Sequence, residues 1–282
     1  MTEIHARIGE ALMRVRNERP LIHHITNLVV MNDTANVTLL LGALPVMGHA
    51  CEEVGELVAQ ADALLLNLGT PTRARLESML IAGRKANARG IPVVLDPVGA
   101  GATQFRTESC LRLLSEVEVA ILRGNAGEIA SLSTASGLSE SAVPRGRRMV
   151  KGVESVAEAQ DVALLARATA RALAQTVAIT GPRDIVSDGQ RILRIDNGHP
   201  LLTTITGTGG MATTAVAAFA AVEDDYVVAA AGGLACLGVA ARLAAGEARG
   251  PASFKVALFD RIHSLTSEQL AADAHISACE AD

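Results

Sequence analysis

The stretch TITGTGGMATT, residues 204–214, places glycines and hydroxyls directly before an apolar, Ala-rich segment expected to become helical at Met211. Glycines permit a tight turn, and the N–H groups at a helix start receive phosphate oxygens. Gly207, Thr208 and Gly209 are therefore a candidate cradle for the oxygens of a transferring phosphoryl group. From Gly207 to Thr214 there is no Asp, Glu, His or Cys, so the turn brings no side chain of its own to handle a proton. Other polar residues cluster directly after short apolar runs. LIHHI leads into TNLVVMNDTAN, ALLL into NLGT, VVL into DPVGAGAT, VAIL into RGNAGEI and VAI into TGPRD. In open α/β sheets, ligands sit outside the carboxyl ends of the strands. If those runs are neighbouring strands, their Asn, Thr, Asp, Arg and Glu residues meet at one edge.

The surrounding pattern supports that condition. Residues 3–17 read as a helix and Leu21–Ile25 as a strand, then Val29–Leu41 has helical spacing and stops near Gly42. Leu44–Met47 reads as a strand, Glu52–Gln60 as a helix and Ala63–Leu66 as a buried strand. Thr70 and Pro71 offer an N-cap and a first-turn proline to a helix that ends at Gly90. IPVVLDPV is the clearest strand, and its unbroken apolar run suits a parallel strand covered on both faces. Val119–Leu122 and Val177–Thr180 are further strands. Between them, Ser155 and Glu158 form a capping-box pattern for a helix running to about Ala174. A hairpin turns at Asp188-Gly189, and Ala-rich helix fills most of the chain from Met211. Such alternation predicts a mostly parallel sheet with helices on both faces. No linker interrupts it, so residues 1–282 are expected to form a single domain. Arg145, Arg147, Arg148 and Lys151 lie in a long loop over residues 136–153. That loop is read first as a solvated surface and second as a flap over nucleotide phosphates.

Composition narrows the class of partner. A hydrophobic content of 49% is ample for a buried core. No apolar run is read as long enough to span a membrane, and the amphipathic, mixed-charge N-terminus is not a signal peptide. The net charge of −5, with no Trp and one Tyr, argues against nucleic acid, which needs a basic field or stacking platforms. Four cysteines without CxxC spacing fit a reducing cytoplasm rather than a zinc site or a disulfide framework.

TNLVVMNDTAN, GALPVM, LNLGT, LDPVGAGAT, RGNAGEI and TGTGG occur in this order over most of the chain. Together they resemble the hydroxyethylthiazole kinases of thiamine biosynthesis, within the ribokinase-like superfamily. The resemblance implies a three-layer α/β/α sandwich around a mostly parallel central sheet. It also implies ATP-dependent phosphorylation of the hydroxyl of 4-methyl-5-(2-hydroxyethyl)thiazole, magnesium, and a homotrimer with active sites between subunits. Asp96 and Glu128 match acidic positions near magnesium and the phosphates, Arg123 and Thr180 match ATP contacts, and Asn27, Val29, Met47, Gly69 and Gly207 match the thiazole site. Taken without the resemblance, Glu128 also reads as a helix-capping or surface-pair residue and Arg123 as a structural ion-pair partner, while a Met after a strand, such as Met47, is more often core. Asn125 reads as the N-cap of the helix that carries Glu128. His23 and His24, adjacent in a strand, point to opposite faces and are read as packing or interface residues.

One position departs from the pattern. Ribokinase-like enzymes typically close the glycine turn with an Asp that accepts the alcohol proton, and hydroxyethylthiazole kinases carry Cys there. This chain has Gly210. The reading is a slow but genuine kinase. The alternatives are a thiazole- or nucleotide-binding protein without turnover, and a related hydroxymethylpyrimidine kinase.

Overall fold

In the computed structural model, which describes residues 2–137 and 159–279, nine short strands pair into one sheet. They are β1 (Leu21–Ile25), β2 (Leu44–Val46), β3 (Ala63–Asn67), β4 (Val93–Asp96), β5 (Ile121–Asn125), β6 (Thr176–Thr180), β7 (Asp184–Ser187), β8 (Ile192–Ile195) and β9 (Ile276–Ala278). Their order is β2-β1-β3-β4-β5-β6-β7-β8-β9. The pairs from β2 to β6 are parallel and the three from β6 to β9 are antiparallel, which gives the mostly parallel sheet expected.

The central strands are apolar on both faces because both faces are covered. Leu64, Leu66, Val93, Leu95 and Leu122 enter one hydrophobic layer, while Leu65, Val94 and Ile121 enter the other. The first layer is completed by α3 (Val54–Val58), α4 (Arg73–Asn87), α5 (Gln104–Glu116), α6 (Ala126–Ala135) and α7 (Ala159–Leu173). The second holds α1 (Thr2–Glu18), α2 (Met31–Leu41), α8 (Thr208–Ala220), α9 (Tyr226–Ala245), α10 (Pro251–Ser264) and α11 (Ser267–Asp273). The result is the helix–sheet–helix sandwich.

Three local expectations need correction. Thr72, not Thr70, caps α4 by accepting the Arg75 N–H at 3.1 Å. Thr70 instead takes a left-handed backbone, φ +42°, as the chain turns from β3 into that cap. α8 starts at Thr208 rather than Met211, which puts Gly209 and Gly210 inside its first turn. α9 is a 20-residue apolar helix long enough to cross a membrane, contrary to the reading that no such run exists. Its apolarity has another cause: 89% of its apolar window is buried, in the layer it shares with α1, α8 and α10. α5 and β9 were not anticipated from the sequence. The Ser155–Glu158 capping box and the basic cluster Arg145–Lys151 lie outside the described residues.

Candidate active site

The chain passes from β1 to β2 on one side, and from β2 it crosses back past β1 to β3 on the other. Such a reversal opens a crevice at the carboxyl ends of the strands. A cavity of about 400 Å³ lies there, lined on one side by Asn27, Val29, Val30, Gly69 and Thr70, and on the other by Asp96, Arg123 and Glu128. Gly207, Gly209 and Gly210 also line it. Nine of the twelve residues singled out above therefore meet in one place. Met47, Thr180 and Thr208 do not line it.

Each side chain is held by the element that delivers it. Asp96 ends β4 opposite Asn67, the last residue of β3. Its Oδ2 accepts Asn67 Nδ2–H at 2.8 Å and Thr213 Oγ1–H at 2.7 Å, with Arg123 Nη1 at 3.7 Å. Its Oδ1 is buried and has no hydrogen-bond partner. Burial lifts the Asp96 carboxyl to about 6, with Arg123 opposing and Glu128 adding to the rise. Arg123 comes from β5, and its guanidinium donates to Gly209 O at 3.0 Å and to Thr180 Oγ1. Thr180, at the end of β6, thus acts on the site through Arg123.

Glu128 follows β5 in the first turn of α6. Asn125 caps that helix as expected: its Oδ1 accepts the Glu128 N–H, and Glu128 Oε2 accepts the Asn125 N–H, both at 2.9 Å. Glu128 Oε1 accepts the Gly99 N–H at 2.8 Å. The capping role and a place on the cavity wall therefore coincide in one side chain. Asn27 is also committed locally, its Oδ1 accepting the N–H groups of Val29 and Val30 at 2.9 and 3.2 Å.

The glycine turn has the geometry of an anion cradle. Gly207 caps α8 with φ +95°, and a Cβ there would stand 2.7 Å from Val30 Cγ1. Met211 N–H donates to Gly207 O, so the N–H groups of residues 208–210 precede the helical ladder, where a helix end attracts anions. The Thr208 hydroxyl donates to Leu202 O and takes no part in the cavity wall.

Three residues escaped the sequence reading. Asn67 closes a buried parallel strand, the same signal that selected Asp96. Thr213 sits one turn beyond Gly209 in α8, where its hydroxyl reaches both Asp96 Oδ2 and Gly209 O. Arg106 lines the cavity from the first turn of α5, donating to Leu68 O and Val98 O at 3.1 and 2.7 Å. A cation in a first helical turn opposes the helix dipole, a signal that depends on recognising α5, which the sequence reading did not.

Residues 12–268 match the Hydroxyethylthiazole kinase family. The chain is 59% identical over 276 residues to the hydroxyethylthiazole kinase of Roseiflexus sp. (strain RS-1), an alignment spanning 98% of each protein. It superposes on the solved hydroxyethylthiazole kinase of Pyrococcus horikoshii OT3 with a TM-score of 0.86 and 43% identity, over 97% of this chain and 99% of that one. A ribokinase-like superfamily protein from Enterococcus faecalis V583 shares the fold at 12% identity and a TM-score of 0.62, over 95% of both chains.

Proposed function

Because the chain belongs to the hydroxyethylthiazole kinase family, we propose that it moves the γ-phosphoryl group of ATP to the hydroxyl of 4-methyl-5-(2-hydroxyethyl)thiazole, yielding thiazole phosphate for thiamine biosynthesis or salvage. The observation that carries this reading is the meeting of Asp96, Arg123 and the α8 N-terminus with the Asn27 and Gly69 turns in one cavity. Phosphoryl transfer rests on positioning and charge stabilisation more than on covalent chemistry. A protein that only binds thiazole or nucleotide, or a hydroxymethylpyrimidine kinase, is not favoured beside relatives of this identity.

The geometry supports the following roles. Arg123, adjusted by Thr180, grips phosphate oxygens with a forked cation. The turn Gly207-Thr208-Gly209 receives the transferring group on backbone N–H groups. Asn27, Val29, Gly69 and Gly207 form the thiazole side. Magnesium suits this donor set. Among the described residues no group of three Asp, Glu, His or Cys encloses a metal, and magnesium needs none, since it keeps waters and takes one or two carboxylates plus phosphates. Asp96 Oδ1 has no competing partner, and each Glu128 oxygen holds one backbone N–H with a lone pair to spare. When bound there, magnesium neutralises charge building on the phosphates. At Gly210 no side chain takes the alcohol proton, which leaves to a phosphate oxygen or to water, and turnover is correspondingly slow.

We place Met47, half-buried and outside the cavity, against thiazole only in a homotrimer whose neighbouring subunit completes the groove. A reducing cytoplasm suits a chain whose four cysteines have no CxxC spacing. The test is direct: thiazole alcohol, ATP and magnesium are incubated with the protein, and thiazole phosphate is measured by mass. Product is expected with the parent and greatly reduced with Asp96→Ala or Glu128→Ala. No product from the folded, nucleotide-binding parent sinks the reading.

A further inference from the structure

Asn67 is 1% exposed and lies between the two sides of the cavity. Its Oδ1 accepts Asn27 Nδ2–H at 2.8 Å and the Gly69 N–H at 2.9 Å, while its Nδ2 donates to Asp96 Oδ2 at 2.8 Å. Backbone donors settle the direction of this relay. Gly69 N–H can only donate, so it must face Asn67 Oδ1, which leaves Nδ2 for Asp96. The N–H groups of Val29 and Val30 must likewise face Asn27 Oδ1, which leaves Asn27 Nδ2 for Asn67. The hydrogen bonds therefore run one way, from the turn after β1, through the end of β3, to the carboxylate that ends β4. Asn67, Thr213 and Arg123 all converge on Asp96 Oδ2, and Oδ1 stays uncommitted.

We propose that Asn67 is a positioning residue for phosphoryl transfer: one face of its carboxamide sets the Asp96 rotamer so that Oδ1 is left for the phosphate side, and the other face fixes Asn27 and Gly69 on the acceptor side. This rests on the kinase reading above. No other common side chain of this length offers a donor and an acceptor at once. Leu offers neither, and an ionised Asp offers only acceptors.

Asn67→Asp keeps both acceptor bonds and replaces the donor by a carboxyl that repels Asp96 Oδ2 or shares a proton with it, so Asp96 is no longer held as an ionised acceptor. Thiazole alcohol titrated calorimetrically into nucleotide-free Asn67→Asp protein should bind within about twofold of the parent Kd, while kcat falls by about tenfold or more. Asn67→Leu removes both faces, so thiazole Kd should also weaken, by about tenfold, as buried donors lose their acceptor. In an Asp96→Asn background, Asn67→Leu should reduce kcat by much less than it does in the parent, because the part that runs through Asp96 is already lost and groups that act as a unit are non-additive. Fully additive losses, or an Asn67→Asp enzyme within about twofold of the parent kcat, overturn the inference. If the leucine variant does not fold, the aspartate variant decides alone. An Asp96→Asn enzyme with parental kcat overturns the kinase-site reading instead, however the Asn67 variants behave.

Discussion

Gly210 is the residue on which the proposed slow turnover rests. It sits in the first turn of α8 without a left-handed φ, and a Cβ there would meet Val30 Cγ2 at 3.1 Å and Thr34 Cγ2 at 3.4 Å. Those neighbours are methyl groups of rotatable side chains, so a few tenths of an ångström of movement admits a side chain. Asp suits a first helical turn, where the macrodipole favours negative charge. Gly210→Cys and Gly210→Asp are therefore expected to fold and to raise kcat at saturating thiazole and ATP by about 10²-fold, the low end of what a positioned base contributes. At neutral pH Asp is expected to gain more than Cys, whose thiol is mostly protonated there. Folded variants that bind ATP with no gain in rate would show that Gly210 is not the proton-acceptor position.

At the scale of the element, two glycines at the start of α8, Gly207 at its cap and Gly210 in its first turn, demand opposite things. Gly207 adopts φ +95° with Val30 Cγ1 at 2.7 Å from any Cβ, whereas Gly210 is helical. A left-handed L-residue costs roughly 1–2 kcal/mol, and Val30 must also move. Gly207→Ala is expected to lower Tm by about 2–6 °C and to reduce turnover by shifting the helix start. Gly210→Ala is expected to leave Tm unchanged or to raise it, since Gly costs about 1 kcal/mol in a helix interior. Differential scanning calorimetry of the pair checks this, and equal shifts would refute the assigned cap. The same local physics explains α6, where Asn125 and Glu128 complete a capping box and thereby present Glu128 to the cavity.

For the whole molecule, folding is linked to pH through β1. Burial drives the His24 imidazole down from 6.5 to about 3, and lowers His23 and His49 as well. Below pH 6.5 the unfolded chain binds protons that these buried rings refuse. Stability present above pH 6.5 is thus lost as pH falls toward 3. Asp96 works the other way: its carboxyl, raised from 3.8 to about 6, contributes stability at low pH that is lost as pH rises through 6. Asp184, its carboxyl lifted by burial to about 7, acts in the same direction as Asp96. Three imidazoles thus oppose two carboxyls, and any drop in the urea midpoint from pH 7 to pH 5 is expected to be smaller in His24→Gln than in the parent. An equal drop in that variant would remove His24 as a cause. Assembly is the second property at this scale. Leu28 and Val29 are 67% and 62% exposed, Val29 on the cavity wall, and α2, which follows them, is tied to α10 by the Asp33–Lys255 ion pair. If a neighbouring subunit completes the acceptor groove, Leu28→Asp should yield monomers in light scattering and lose thiazole turnover. A fully active parental monomer at micromolar concentration would exclude a shared site.

The sequence by itself determined the strand–helix alternation, the two-faced burial of the central strands and the polar residues at their carboxyl ends. It did so because side-chain periodicity and turn chemistry are local properties. Asp96, Arg123 and Glu128 were legible for that reason, each standing at or just after an apolar run. The strand order was not: only packing puts β1 between β2 and β3 and opens the crevice that gathers residues as far apart as Asn27 and Gly210. Nor did composition distinguish the buried helix Tyr226–Ala245 from a membrane span, because apolarity is the same in a core and in lipid until a neighbour is specified. The Asn27–Asn67–Asp96 relay is tertiary in the same sense. Its three residues stand 40 and 29 positions apart in the chain, and they act as one unit because parallel pairing brings the ends of β1, β3 and β4 side by side.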